Sequence, residues 1–115
     1  MTPSGPVTVM VTHLSARDAD RNAQGGALVR HAQTQATPLM VLGDLNAEPG
    51  DPSLEGLERF LVNASPDPMP SYPADAPERA IDHIYVSSEL SVVGEAMPVP
   101  IMGSDHLPVM ARLSL

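Results

Sequence analysis

The sequence predicts an α/β (α+β) domain built on one mixed β-sheet with helices on one face. Three observations carry that expectation. Val7-Thr8-Val9-Met10-Val11-Thr12 is rich in β-branched residues and alternates, as a half-buried strand does. Leu39-Met40-Val41-Leu42 is a short unbroken apolar run bounded by Pro38 and Gly43, as a fully buried strand is. Stretches of helical spacing separate and follow these runs, and the order β-α-β-α-loop-β-β-β suits a mixed sheet.

His13 closes the first strand, and Leu14-Ser15 open a loop. Asp18 or Asp20 is expected to cap a helix over residues 19–35, with Ala27, Leu28 and Ala32 as its apolar stripe. Gly25-Gly26 weakens that helix. Pro38 resets the chain for a strand over 39–43. Glu48-Pro49-Gly50-Asp51-Pro52 reads as a turn, and Ser53 as the cap of a short helix carrying Leu54, Leu57, Phe60 and Leu61. Residues 63–80 form a loop rich in Pro, Asp, Ser and Ala, long enough to be functional. Strands over 80–87, 90–96 and 107–113 follow, with a loop over 101–105 before the last. Residues 1–6 are expected to be a disordered or linker amino terminus, and 7–115 the folded unit.

A chain of 115 residues holds at most one domain. With one Phe, two Tyr and no Trp, the core must be built from Val, Leu, Ile, Met and Ala. The net charge is −8, and all six basic residues are arginine. That balance excludes a simple basic groove for nucleic acid. It suits a site where a divalent cation supplies the positive charge a phosphate needs. The absence of cysteine excludes disulfides and thiolate chemistry, while the compartment stays open. No apolar run approaches the roughly 20 residues of a membrane span. The start of the chain has neither a basic segment nor the apolar stretch of a signal peptide, so any targeting segment would lie outside it.

Asp44 and Asn46 stand at the carboxyl end of the second strand. At spacing i, i+2 in extended backbone their side chains point to one side, at the rim where α/β sheets often keep their chemistry. Asp82 sits between Ile81 and Ile84, where an unpaired carboxylate is costly. Its partner is expected to be an arginine such as Arg79, backbone donors, or a histidine. Ser104-Asp105-His106 precedes the apolar run Leu107 to Met110. If the strands share one sheet, His13, Asp44, Asn46, Asp105 and His106 converge at one rim. Asp82 would then orient His106, raising the basicity of its other ring nitrogen and making it a general base for water.

Thr12-His13-Leu14, Gly43-Asp44-Leu45-Asn46, Ile81-Asp82-His83-Ile84 and Ser104-Asp105-His106-Leu107-Pro108, in that order, resemble the endonuclease/exonuclease/phosphatase superfamily. This group contains deoxyribonuclease I, the apurinic endonucleases, neutral sphingomyelinases and inositol-polyphosphate phosphatases. The resemblance spans about residues 7 to 115. It implies half of a four-layer α/β/β/α sandwich, the carboxyl-terminal half of the domain. It implies a Mg²⁺- or Mn²⁺-dependent phosphoester hydrolase. Asp44 and Asn46 would handle the attacking water or a metal and the phosphate oxygens. Asp105 would assist metal binding, and His106 would act as base and phosphate contact. Asp82 would orient His106, and His13 would donate to the phosphate or protonate the leaving group. Tyr72, in the long loop, is a candidate substrate contact.

Complete members of that superfamily carry a metal-binding glutamate in their amino-terminal half, and no segment of this chain matches it. Glu48 reads as a solvated turn residue. Two functions are therefore expected. One is a metal-dependent phosphoester hydrolase acting on a small molecule, a lipid head group or a nucleic acid. The other is a non-catalytic fragment or remnant with weak or no metal binding. The sheet face left by the missing half implies self-association, against which a clean monomer by light scattering at micromolar concentration would count.

Overall fold

A computed structural model describes residues 5–65, 69–101 and 103–115. The chain runs β1 (Thr8–His13), α1 (Asp18–Ala32), β2 (Leu39–Asp44), a 3-10 turn (Pro52–Leu54) and α2 (Glu55–Phe60). It continues through β3 (Val62–Asn63), β4 (Asp82–Val86), β5 (Ser91–Val92), β6 (Met97–Pro98), β7 (Val109–Met110) and β8 (Leu113–Ser114). The first four residues of the expected linker lie outside the described residues. A mixed sheet in the order β1-β2-β4-β3 forms the centre, with β1 and β2 parallel and β4 antiparallel to both its neighbours.

Alternation along the strands divides this sheet into two faces. Met10, Leu39, Val41 and Tyr85 meet Leu28 and Ala32 of α1 and Leu54, Leu57 and Leu61 around α2. The expected helix-covered face is therefore present, and it holds the core. Tyr85 is fully buried there, and its hydroxyl donates to Glu58 Oε2 at 3.1 Å. Burial, then the charge of Glu58, raises its pKa, so it stays a protonated donor. On the opposite face Val9 and Val11 are 49% and 73% exposed, while Met40, Leu42 and Ile84 are half-buried. This is the face on which self-association is expected. Among the described residues no helix is long and apolar enough to cross a membrane.

Several local expectations change. The N-cap of α1 is Arg17, with no side-chain cap. Asp18 and Asp20 instead occupy the first helical turn, where carboxylates complement the helix dipole, and Asp18 accepts from Arg21 Nη2 at 2.6 Å. α1 stops at Ala32 rather than 35 because Thr34 and Gln35 turn back onto the carbonyls of His31 and Ala32. Gly25 supports the helix instead of weakening it. A Cβ there would lie 2.1 Å from the Ser53 carbonyl oxygen, so glycine lets α1 rest directly on the 3-10 turn.

Ser53 is not the cap of the second helical segment. α2 starts from Leu54 with no side-chain cap, and Asp51 caps the 3-10 turn before it, accepting from Ser53 N at 3.0 Å and Ser53 Oγ at 2.6 Å. Those two hydrogen bonds hold the Asp51 carboxyl below the usual range. Phe60, read as part of the apolar stripe, is exposed.

The carboxyl-terminal strands do not join the central sheet. Gly94, at φ +78°, breaks the run over 90–96, leaving β5 and β6 on either side. The last strand likewise divides, so β5 pairs with β8 and β6 with β7 in two separate two-stranded ladders. β3, at the start of the expected long loop, adds a short outer strand to β4.

Candidate active site

Strand register puts three side chains in a row. His13 ends β1 opposite Asp44, which ends β2 opposite Asp82, the first residue of β4. Their alternation matches that of Val9, Val11, Leu42 and Ile84, so all three belong to the face away from the helices. Because β4 is antiparallel, its beginning meets the carboxyl ends of β1 and β2 at one rim. The expected convergence thus occurs, with Asp82 at a strand start rather than inside a buried strand. Gly43 makes the row possible. Its φ is +144°, and a Cβ there would meet the Thr12 carbonyl oxygen at 1.8 Å.

His106 reaches this row from the loop before β7. Its Nδ1 donates to Asp82 Oδ2 at 2.8 Å, which leaves Nε2 of the neutral ring as an acceptor. Nε2 stands 3.5 Å from Asp44 Oδ2, and His13 Nε2 stands 3.4 Å from the same oxygen. Asp82 Oδ2 also accepts from Ser71 Oγ at 2.6 Å. The partners of Asp82 are therefore a serine and a histidine, not Arg79. Desolvation opposes charge on His106, but the Asp82 hydrogen bond and the charges of Asp82, Asp44 and Asp105 outweigh it. The ring pKa is raised above its ordinary value.

Two loop segments hold the imidazole. Leu107 N donates to the Ser71 carbonyl at 2.8 Å and Ala74 N to the Asp105 carbonyl at 2.7 Å. The Tyr72 ring lies 4.6 Å from that of His106, tilted by 41°. Tyr72, expected to touch substrate, thus also braces the histidine. Nothing in the local sequence marks Ser71, since its partner lies eleven residues on.

Asn46 departs from the extended geometry expected of it. Asp44 Oδ1 accepts from Asn46 N at 3.0 Å, and Asn46 turns to φ +49°, a left-handed conformation asparagine tolerates. Its Nδ2 then donates to the Leu14 carbonyl at 2.6 Å, tying down the loop after His13.

An open cavity of ≈ 610 Å³ joins these groups. His13, Asp44, Asn46, Tyr72, Asp105 and His106 all line it. Ser15, Gln24 and Arg79 line it too, none of them among the expected site residues. Among the described residues, Asp44, Asp82 and His106 form a group that could hold a metal ion, with donor atoms within 4.8 Å of one another. Asp105 lies on the cavity wall outside that group. The donor set fits a hard divalent ion, which binds through one or two carboxylates and keeps several waters. Asp82 and His106 are already bonded to each other, so Asp44 is the donor most available to it.

The chain is similar to several known proteins. The Escherichia coli (strain K12) uncharacterized protein YbhP is 29% identical over 118 residues, covering 95% of this chain and 47% of that protein. A functionally unknown conserved protein from Enterococcus faecalis V583 superposes with a TM-score of 0.79 at 20% identity, covering 96% of this chain and 50% of that one. A mannosyl-6-phosphatase from Bacteroides thetaiotaomicron VPI-5482 superposes with a TM-score of 0.73 at 16% identity, covering 93% of this chain and 51% of that one. The chain spans about half the length of the relatives it matches. The sequence profile of the Endonuclease/Exonuclease/phosphatase family matches residues 2–106, a span that includes His13, Asp44, Asn46, Asp82, Asp105 and His106. With that match over most of its length and the same fold in its structural neighbours, the chain belongs to the endonuclease/exonuclease/phosphatase family.

Proposed function

We propose that this chain carries the carboxyl-terminal part of the active site of a metal-dependent phosphoester hydrolase, with His106 as its general base. The observation that supports this most is the placement of His106, bonded through Nδ1 to Asp82 and facing Asp44 and the cavity through Nε2. Asp82 selects the tautomer with a free Nε2 and strengthens it as a base. A water beside Nε2 loses its proton there as its oxygen attacks phosphorus in line. The bond from phosphorus to the ester oxygen breaks, and His13 supplies the proton that oxygen takes up. Asp44 and Asp82 then face a positively charged His106, which both stabilise. Asn46 fixes the Leu14 backbone and so the loop beside His13.

The cofactor in this reading is Mg²⁺ or Mn²⁺, held by Asp44 within reach of Asp82 and His106, with Asp105 assisting from the cavity wall. Such an ion polarises a phosphoryl oxygen and offsets its charge. The substrate is a phosphoester, and the chain's charge favours a small or lipid-linked one over duplex DNA. The test is hydrolysis of bis(4-nitrophenyl) phosphate by the purified protein. EDTA is expected to abolish it and excess Mn²⁺ to restore it. Hydrolysis that EDTA leaves unchanged would remove the metal from the mechanism.

A second reading is a fragment without catalysis of its own. It is favoured by the chain's span of about half its relatives and by the commitment of Asp82 and His106 to each other. Calorimetry with Mg²⁺ separates the two. Millimolar or undetectable affinity, together with no hydrolysis, supports the fragment.

A further inference from the structure

Among the described residues, Arg79 is the only arginine lining the cavity. Of the six arginines, Arg17, Arg21 and Arg59 are ion-paired, with Asp20, with Asp18 and Asp51, and with Glu55. Arg79 has no carboxylate partner among the described residues, in a chain with 14 acidic side chains. Asp105 and Asp44 line the same cavity without pairing with it.

The backbone of Arg79 is nevertheless firmly held. Its N–H donates to the Tyr72 carbonyl at 2.9 Å, and its carbonyl accepts from Ser71 N at 3.0 Å and Tyr72 N at 3.3 Å. That bridge fastens Arg79 to the two residues that brace the catalytic cluster, Ser71 on Asp82 and Tyr72 on His106. The backbone of Arg79 is thereby fixed beside Ser71 and Tyr72, while its side chain is exposed at the cavity. Gln24, also on the cavity wall, uses its Oε1 to accept from Ser15 N at 2.8 Å, leaving its amide nitrogen as a further donor. A guanidinium fork without a carboxylate suits a phosphate, whose oxygens it meets in pairs.

We propose that Arg79 binds a second phosphate of the substrate while the scissile phosphate lies at His106, so that the substrate class is a small phosphoester bearing two phosphate groups. This rests on the hydrolase reading of the site. The scissile phosphate occupies the end of the cavity formed by His13, Asp44 and His106. The second phosphate is taken by Arg79 on the wall of the same cavity. Arg79 contributes to binding and selectivity and takes no part in proton transfer.

The test compares glucose 6-phosphate with glucose 1,6-bisphosphate, a pair differing by one phosphate. Each is titrated by calorimetry into the full chain in excess Mg²⁺, so that any contribution of the ion enters both titrations. The bisphosphate is expected to bind about 10–100-fold more tightly, as suits one added charge-assisted, two-pronged contact. Arg79→Ala is expected to bring the ratio of the two affinities to about one, and Arg79→Lys to retain part of it. A wild-type ratio near one, a ratio that survives Arg79→Ala, or no binding of either ligand overturns the proposal. His106→Ala separates it from the reading it rests on. If that variant binds both ligands as wild type does while Arg79→Ala still collapses the ratio, the hydrolase site is misplaced and the Arg79 contact stands. If His106→Ala weakens both ligands but the ratio ignores Arg79, the Arg79 contact alone fails.

Discussion

Replacing His106 with alanine is expected to lower phosphodiester hydrolysis by about 10²–10⁴-fold, the usual contribution of a positioned general base. The loss should fall on kcat more than on KM, since the proton is taken in the transition state. The fold should survive, because Asp82 keeps its hydrogen bond from Ser71 and the loop keeps its backbone ties at Leu107 and Ala74. Leaving one hydrogen-bonding position of a half-buried carboxylate unfilled costs about 1–3 kcal/mol. Circular dichroism and a thermal melt distinguish this from unfolding. Hydrolysis that persists at the wild-type rate in a folded His106→Ala protein would transfer the base to another group.

The same pairing sets a pH dependence. His106 has a raised pKa despite its partial burial, because of Asp82 first and then Asp44 and Asp105. As the proposed base it would work unprotonated, so activity should rise with pH through a midpoint above 6.5, the ordinary histidine value. The stability linkage has the opposite sense. A raised folded-state pKa contributes stability that is fully present below the unfolded value and is lost as pH rises through the folded one. Asp82→Asn removes the main raising influence. In the metal-free protein, NMR titration of the His106 ring should show its midpoint falling. A midpoint unmoved by Asp82→Asn would mean that the contact does not set the tautomer or the basicity of the ring.

What could be read in the sequence follows from how far each feature depends on distant residues. β1, β2 and β4 show in their own side-chain patterns, and the strands place His13, Asp44 and Asp82 with no further information. The Asp82–His106 pair was legible because a carboxylate between Ile81 and Ile84 required a partner. Other features were not. The division of the expected strands over 90–96 and 107–113 into the two-residue pieces β5 to β8 comes from pairing with distant partners, which no local period records. The turn at Asn46 and the cap at Asp51 replace an expected geometry with a local side-chain hydrogen bond, for which Asp, Asn and Ser compete on nearly equal terms. The roles of Ser71 and Tyr72 come from tertiary contact alone. Gly25 and Gly43 look alike in the sequence as possible weak points, yet each sits where another backbone leaves no room for a Cβ.

Gly43 gives the second large effect. Gly43→Ala is expected to cost roughly 2–6 kcal/mol, combining strain at positive φ with overlap against backbone. The overlap is with the Thr12 carbonyl at 1.8 Å, and backbone held in a ladder cannot move aside as a flexible side chain does. At about 4 °C per kcal/mol or more, the melting temperature should fall by about 10–25 °C. Gly50→Ala is the matched control, since Gly50 has φ +89° but nothing within 4 Å of a Cβ. It suffers strain without collision, so its loss should be smaller, about 1–3 kcal/mol. Equal losses in the two variants would mean that β1 and β2 are not in the tight contact described. If the contact is real, damage at Gly43 extends beyond stability. Relief of the overlap must separate Thr12 from Gly43, and with them His13 from Asp44, one residue further along each strand. Even the fraction of Gly43→Ala that remains folded should therefore hydrolyse phosphodiester more slowly than wild type, whereas folded Gly50→Ala should not. The glycine before Asp44 then has two roles in one position: it closes the parallel ladder, and it sets the spacing between His13 and Asp44.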